Sequence, residues 1–163
     1  MGIEQTLLQQ LSIFQDSATV ILGIGNTLKG DDGAGPLVCQ KLKEVEICAD
    51  VIDAGTVPEN YIQRIIGKTP QNLLVIDAID YGDTPGTIRL FKPDQLSSHA
   101  ISTHSLSPRL FVDMICQNIN VDVYFVGIQP ARVQFGQPVS PQVERAIEEV
   151  SHLIAETFPP ASA

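Results

Sequence analysis

The apolar run Val20-Ile21-Leu22-Gly23-Ile24 passes straight into a turn, Gly25 to Gly35, that holds three further glycines and the adjacent carboxylates Asp31 and Asp32. A β-branched run that ends in a glycine-rich turn ahead of a helical segment is how an open α/β sheet presents a site at the carboxyl ends of its strands. The charge of this turn is what sets it apart. A phosphate-cradling loop offers backbone N–H groups and positive potential. Two carboxylates would repel a phosphate, so a cation or a polarised water suits the turn better.

The order of elements along the chain follows from the same signals. Ile3, Leu7, Leu11 and Phe14 stand at helical spacing and predict an amphipathic N-terminal helix over 1–16, in addition to a body spanning 18–157. Residues 18–24 read as a buried strand, and Pro36 to Lys43 as a helix with its proline near the start. Val51-Ile52 predicts a short strand closed by Asp53, Pro58 to Ile66 a short helix ended by Gly67, and Leu73 to Ile76 a third strand running into Asp77. Thr87 to Phe91 alternates as a half-buried strand after the Pro85-Gly86 turn. Leu106 to Cys116 reads as a helix, Val121 to Ile128 as a strand and Gln142 to Ala155 as a closing helix. Strands alternating with helices predict a three-layer α/β/α sandwich around a mostly parallel sheet of about five strands. At 163 residues a single domain is expected.

Composition excludes several classes. A net charge of −9 argues against nucleic acid or an anionic membrane as partner, because both require basic surface. No apolar run approaches transmembrane length. The opening residues lack the basic segment and compact apolar stretch of a signal peptide, so a cytoplasmic protein is expected. Cys39, Cys48 and Cys116 are widely spaced and form no CxxC pair, which points to buried, inert thiols rather than a disulfide or thiolate metal site.

Three strand ends carry acids: Asp31 and Asp32, Asp53, and Asp77. Each alone reads equally well as a helix cap or turn former, but three at one edge favour a site. The 92–107 segment supplies imidazoles at His99 and His104. His104 directly precedes a helix and is placed to reach the sheet edge, whereas His152 falls in the closing helix, where a surface or structural role is expected. Carboxylates with an imidazole make a mixed oxygen and nitrogen set suited to zinc, nickel or manganese.

Taken together, GIGNTLKGDDGAGP at 23–36, DAGTVPEN at 53–60, IDAIDYGDTPGTIR at 76–89, STHSLS at 102–107 and VGIQP at 126–130 resemble the nickel–iron hydrogenase maturation endopeptidases. The details are most similar to the subgroup serving the hydrogenase of formate hydrogenlyase-type complexes. The resemblance implies an enzyme that removes a C-terminal extension from the precursor hydrogenase large subunit once nickel is inserted. It implies Asp32, Asp77 and His104 as the nickel-contacting trio, with the nickel supplied by the substrate, and an acid beside the cleavage region at Asp53. Many relatives carry Glu where Asp32 stands, so the reach of that ligand differs by one methylene. The N-terminal helix lies outside the pattern.

What the chain lacks agrees with that implication. It has no GxSxG elbow, no HExxH helix and no cysteine in a nucleophile motif, so a protease built from it must activate water. Asp53 and a metal-bound hydroxide both stand as candidates for the base. Two rival readings are a different enzyme on a similar sheet and a non-enzymatic nucleotide-binding module. A phosphorylase would need basic residues where Lys29 faces two acids, and a two-zinc peptidase more ligands. GIGNTLKG lacks the three-glycine spacing of a dinucleotide fingerprint.

Overall fold

Side-chain alternation along five short strands sorts the core into two halves and leaves the strand ends open to one edge. The computed structural model describes residues 3–96 and 107–161. In chain order the elements are α1 (Ile3–Leu11), β1 (Thr19–Ile24), α2 (Ala34–Lys43), β2 (Asp50–Gly55), α3 (Ile62–Lys68), β3 (Asn72–Ala78), β4 (Ile88–Phe91), α4 (Pro108–Cys116), β5 (Asp122–Ile128) and α5 (Pro141–Thr157). The strands form one sheet in the order β2-β1-β3-β5-β4. All neighbours are parallel except β4, which runs antiparallel to β5 at the edge. The expected three-layer, mostly parallel sandwich is therefore the fold. Among the described residues no helix is long and apolar enough to cross a membrane.

The central strands β1 and β3 are buried along their whole length, as strands covered on both faces must be. On one face Ile21, Leu74, Ile76, Val126 and Ile128 pack with residues of α1, α2 and α5. On the other, Val20, Leu22, Val75 and Phe125 pack with residues of α3 and α4. Each strand thus contributes alternate side chains to each half.

Several element ends depart from the sequence reading for local reasons. Helix α2 begins two residues before Pro36, because Pro lacks only a donor that the first turn leaves unused. Helix α3 continues through Gly67 and ends at Thr69, which takes the left-handed cap conformation (φ 44°). Pro58–Tyr61 is a separate 3-10 turn. Ser107 caps α4, its hydroxyl accepting the Leu110 N–H at 3.1 Å.

The N-terminal segment is built into the core. Leu7, Leu11 and Phe14 are buried in the cluster shared with α5, and the Phe14 ring meets Tyr124 edge-on at 4.9 Å. Phe14→Ala should therefore cost about 3–5 kcal/mol, read as a lowered urea midpoint with an unchanged slope.

Candidate functional site

Glycine lets the first turn fold back onto the sheet. Gly25 has φ 151°, and a Cβ there would lie 1.9 Å from the Asp32 carbonyl oxygen. At Gly35 a Cβ would come within 2.3 Å of the Ile76 carbonyl oxygen, so α2 can approach β3 only with hydrogen at that position. The 3-10 turn Gly30–Gly33 consequently packs on β3 and carries Asp31 and Asp32 into the protein.

The two acids have different environments. Asp31 is fully buried (0% exposed). Its Oδ1 accepts the Ser140 N–H at 2.7 Å, and its Oδ2 accepts the Ser140 hydroxyl at 2.8 Å and the Ala131 and Arg132 N–H groups at 2.8 and 3.0 Å. The Asp31 N–H donates in return to the Arg132 carbonyl at 2.8 Å. The expectation of a turn whose paired acids invite a cation is corrected for Asp31: it ties together the 129–140 loop and the start of α5. Sequence reading missed this because the donors lie about a hundred residues away.

Asp32 is 2% exposed, and its Oδ2 accepts the Asn26 N–H at 2.9 Å, which closes the turn. Asp77, 3% exposed, lies near the end of β3 opposite Gly127 of β5. The structure thus places Asp32 and Asp77 at the carboxyl edge, on a turn following β1 and on its neighbour β3. Asp53 is at the same edge, paired in register with Gly23, but alternation turns it the other way. Asp53 shares the parity of Val51, which packs with the α2 half of the core, whereas Asp77 shares that of Leu73 and Val75 in the α3/α4 half. Asp53 is half-buried, its Oδ1 accepting the Gly55 N–H at 3.0 Å. His99 and His104 lie outside the described residues, and among those described no group of three metal-binding side chains converges. His152 is exposed on α5.

Sequence reading also missed Gln129 as a positioning residue, although it sits in the VGIQP stretch. Its buried amide oxygen accepts the Tyr81 and Asp83 N–H groups at 2.9 and 3.2 Å, and its nitrogen donates to Asp80 Oδ1 at 3.0 Å. That bond, with a second from the Gly82 N–H, holds the Asp80 carboxyl below its ordinary pKa. Gln129 thereby fixes the turn that leaves β3 just beyond Asp77.

The expectation of three buried thiols holds for Cys39 alone. Cys48, in the connection between α2 and β2, and Cys116, the last residue of α4, are exposed. Burial, reinforced by the Asp53 charge, pushes the Cys39 thiol up to about 12. Partial burial, with Asp113 and Asp122 nearby, also raises the Cys116 thiol.

A model of the hydrogenase maturation protease family matches residues 36–157, a stretch that includes Asp53, Asp77, His104 and Gln129. The hydrogenase 3 maturation protease of Escherichia coli is 38% identical over 139 residues, 80% of this chain and 85% of that protein. A putative hydrogenase maturation protease of Methanocaldococcus jannaschii is 32% identical over 146 residues, 84% of this chain and 86% of that protein. The crystal structure of the nickel–iron hydrogenase maturation protease HycI from Thermococcus kodakarensis has a TM-score of 0.83 at 30% identity, covering 91% of this chain and 97% of that one.

Three outcomes follow from the geometry. Asp31→Asn turns an N–H₂ group toward backbone donors and should cost about 3 kcal/mol, seen calorimetrically as a melting point lower by roughly 10 °C. Iodoacetamide at pH 8 should label Cys48 and Cys116 in the native protein and Cys39 only after denaturation. The Cys39 value lies above its ordinary 9.0, so the folded state keeps this proton longer than the unfolded chain. Its contribution to stability is complete below pH 9 and falls as pH climbs toward 12, measurable by alkaline urea titration.

Proposed function

The chain belongs to the hydrogenase maturation protease family, and from that premise we propose that it removes a C-terminal extension from the precursor large subunit of a nickel–iron hydrogenase after nickel has been inserted. The protein is an endopeptidase; the client, the nickel anchor and the metal-assisted mechanism are the proposal. The observation that carries it is the placement of Asp32 and Asp77, both almost wholly buried, at the carboxyl edge between adjacent strands.

Nickel enters as part of the substrate. Asp32 and Asp77 supply carboxylate oxygens and His104 an imidazole nitrogen, a donor set suited to a borderline divalent cation. Three protein ligands leave coordination positions for the client's own groups, so a client without nickel lacks its anchor and recognition doubles as a check on metal insertion. Anchoring holds the scissile peptide in one place relative to water, and such positioning alone contributes substantially to rate. Water is the nucleophile, since the sequence has no serine or cysteine nucleophile motif and Cys39 is protonated well beyond neutral pH. Asp53, fixed at one oxygen by Gly55, orients the client strand from the opposite side of the edge. Buried Gln129 holds the Tyr81–Asp83 turn beyond Asp77.

The test is the electrophoretic shift of purified precursor large subunit, with and without nickel. Asp32→Asn and His104→Ala should each slow processing of the nickel-loaded precursor at least about a hundredfold, and Asp32→Asn should leave the melting temperature within a few degrees, because the amide oxygen of asparagine still accepts the Asn26 N–H. Wild-type processing by His104→Ala would overturn the nickel anchor. Asp53→Asn should slow processing about tenfold or more, as the loss of an orienting contact does. Serine- and cysteine-directed inhibitors should have no effect.

A further inference from the structure

Beside Asp32 the protein holds two large apolar side chains in water. Leu28 and Phe135 are 66% and 67% exposed, the most exposed large apolar residues among those described. They are far apart in sequence and come from two separate loops that are bonded together. The Gly136 N–H donates to the Leu28 carbonyl at 3.0 Å, and the Asp31 and Arg132 contacts lie just behind. The Leu28 loop is further fixed by its own N–H on Asn26 Oδ1 at 2.9 Å and by the Lys29 N–H on the Asn26 carbonyl at 3.1 Å. The Lys29 ammonium stands 5.4 Å from the centre of the Phe135 ring. This is a rigid ridge of leucine, lysine and phenylalanine, and the core does not use its apolar surface.

Charge indicates what would cover it. The chain carries a net charge of −9, yet among the described residues neither Lys29 nor Arg132 lies within ion-pair distance of a carboxylate. Arg132 donates instead to the Pro138 and Val139 carbonyls, so its charge is not cancelled. An apolar ridge with two unpaired cations at the rim of an acidic protein matches a segment that presents an apolar side chain next to a carboxylate. Leu28 is in the same turn as Asp32, four residues before it, so such a segment would be continuous with whatever occupies the carboxyl edge.

We propose that the Leu28–Lys29–Phe135 ridge docks the client protein beside its cleavage site, binding an apolar side chain flanked by an acidic group. This rests on the reading of the chain as a processing enzyme for a hydrogenase precursor. The ridge adds to client affinity beside the nickel anchor and takes no part in the chemical step.

The experiment compares wild type with L28S, F135S, the double variant, K29E and K29R, using purified nickel-loaded precursor large subunit. L28S and F135S should each raise KM about tenfold, the scale expected for exposing a buried apolar side chain, with kcat and melting temperature unchanged. K29E should raise KM and reduce its sensitivity to salt, and K29R should restore wild-type behaviour. A wild-type KM in the double variant overturns the proposal. So does sedimentation showing a wild-type dimer that F135S converts to monomer with KM unchanged, since the ridge would then cover a second copy. If wild type fails to process the precursor, the processing reading fails by itself. Calorimetric titration of precursor into wild type and the double variant then decides the ridge: binding lost in the double variant supports it, and equal or no binding overturns it.

Discussion

One buried carboxylate holds the upper edge of this protein together. Asp31 sits on the turn after β1, and every donor it engages comes from the segment between β5 and α5. A buried carboxylate is costly unless it is hydrogen-bonded, and here backbone and hydroxyl donors do this, with no cationic side chain in ion-pair contact among the described residues. The loop conformation that aims the Ala131, Arg132 and Ser140 donors is thereby tied to the position of the turn. The adjacent Asp32 is placed by the same constraint, since the turn that carries it cannot shift without breaking those bonds.

The glycines make that turn possible, and the sheet gives it a direction. Without a Cβ at Gly25 the chain can reverse over its own Asp32 carbonyl, and without one at Gly35 the start of α2 can rest on the β3 backbone. Since β2, β1, β3 and β5 run parallel, their carboxyl ends share one edge, where a ligand meets loops rather than packed core. Gln129 performs for the β3 end what Asp31 performs for the β1 end: from beyond β5 it reaches the turn after Asp77. Both devices join separate strand ends through hydrogen bonds, Asp31 linking the β1 end to the segment after β5 across β3, and Gln129 linking β5 to its neighbour β3. Close to that edge, the same stitched loops keep Leu28 and Phe135 in water.

Much of the fold was legible because it rests on local periodicity. The alternation of apolar runs with helical spacing identified the five strands and five helices of the described residues, and the acids at the strand ends pointed to the carboxyl edge. The helix boundaries were less legible: α3 runs past Gly67 because Thr69, not glycine, takes the left-handed cap. The N-terminal helix showed its amphipathic face, but the burial of Phe14 against Tyr124 depends on strand order.

At the site the division is sharper. Which residues are acids, and that they follow strands, is a property of the sequence, since strand periodicity and glycine turns act over a few residues. Which acids belong together was decided by tertiary structure. Asp31 and Asp32 are neighbours in the chain, yet one is consumed by a loop about a hundred residues away while the other remains with the β1–β3 edge. Asp53 and Asp77 lie near the ends of the two strands that flank β1, yet opposite parity sends them to opposite halves of the core. Side-chain direction depends on register and on the partner that each polar atom finds, and both are set only when distant segments pack.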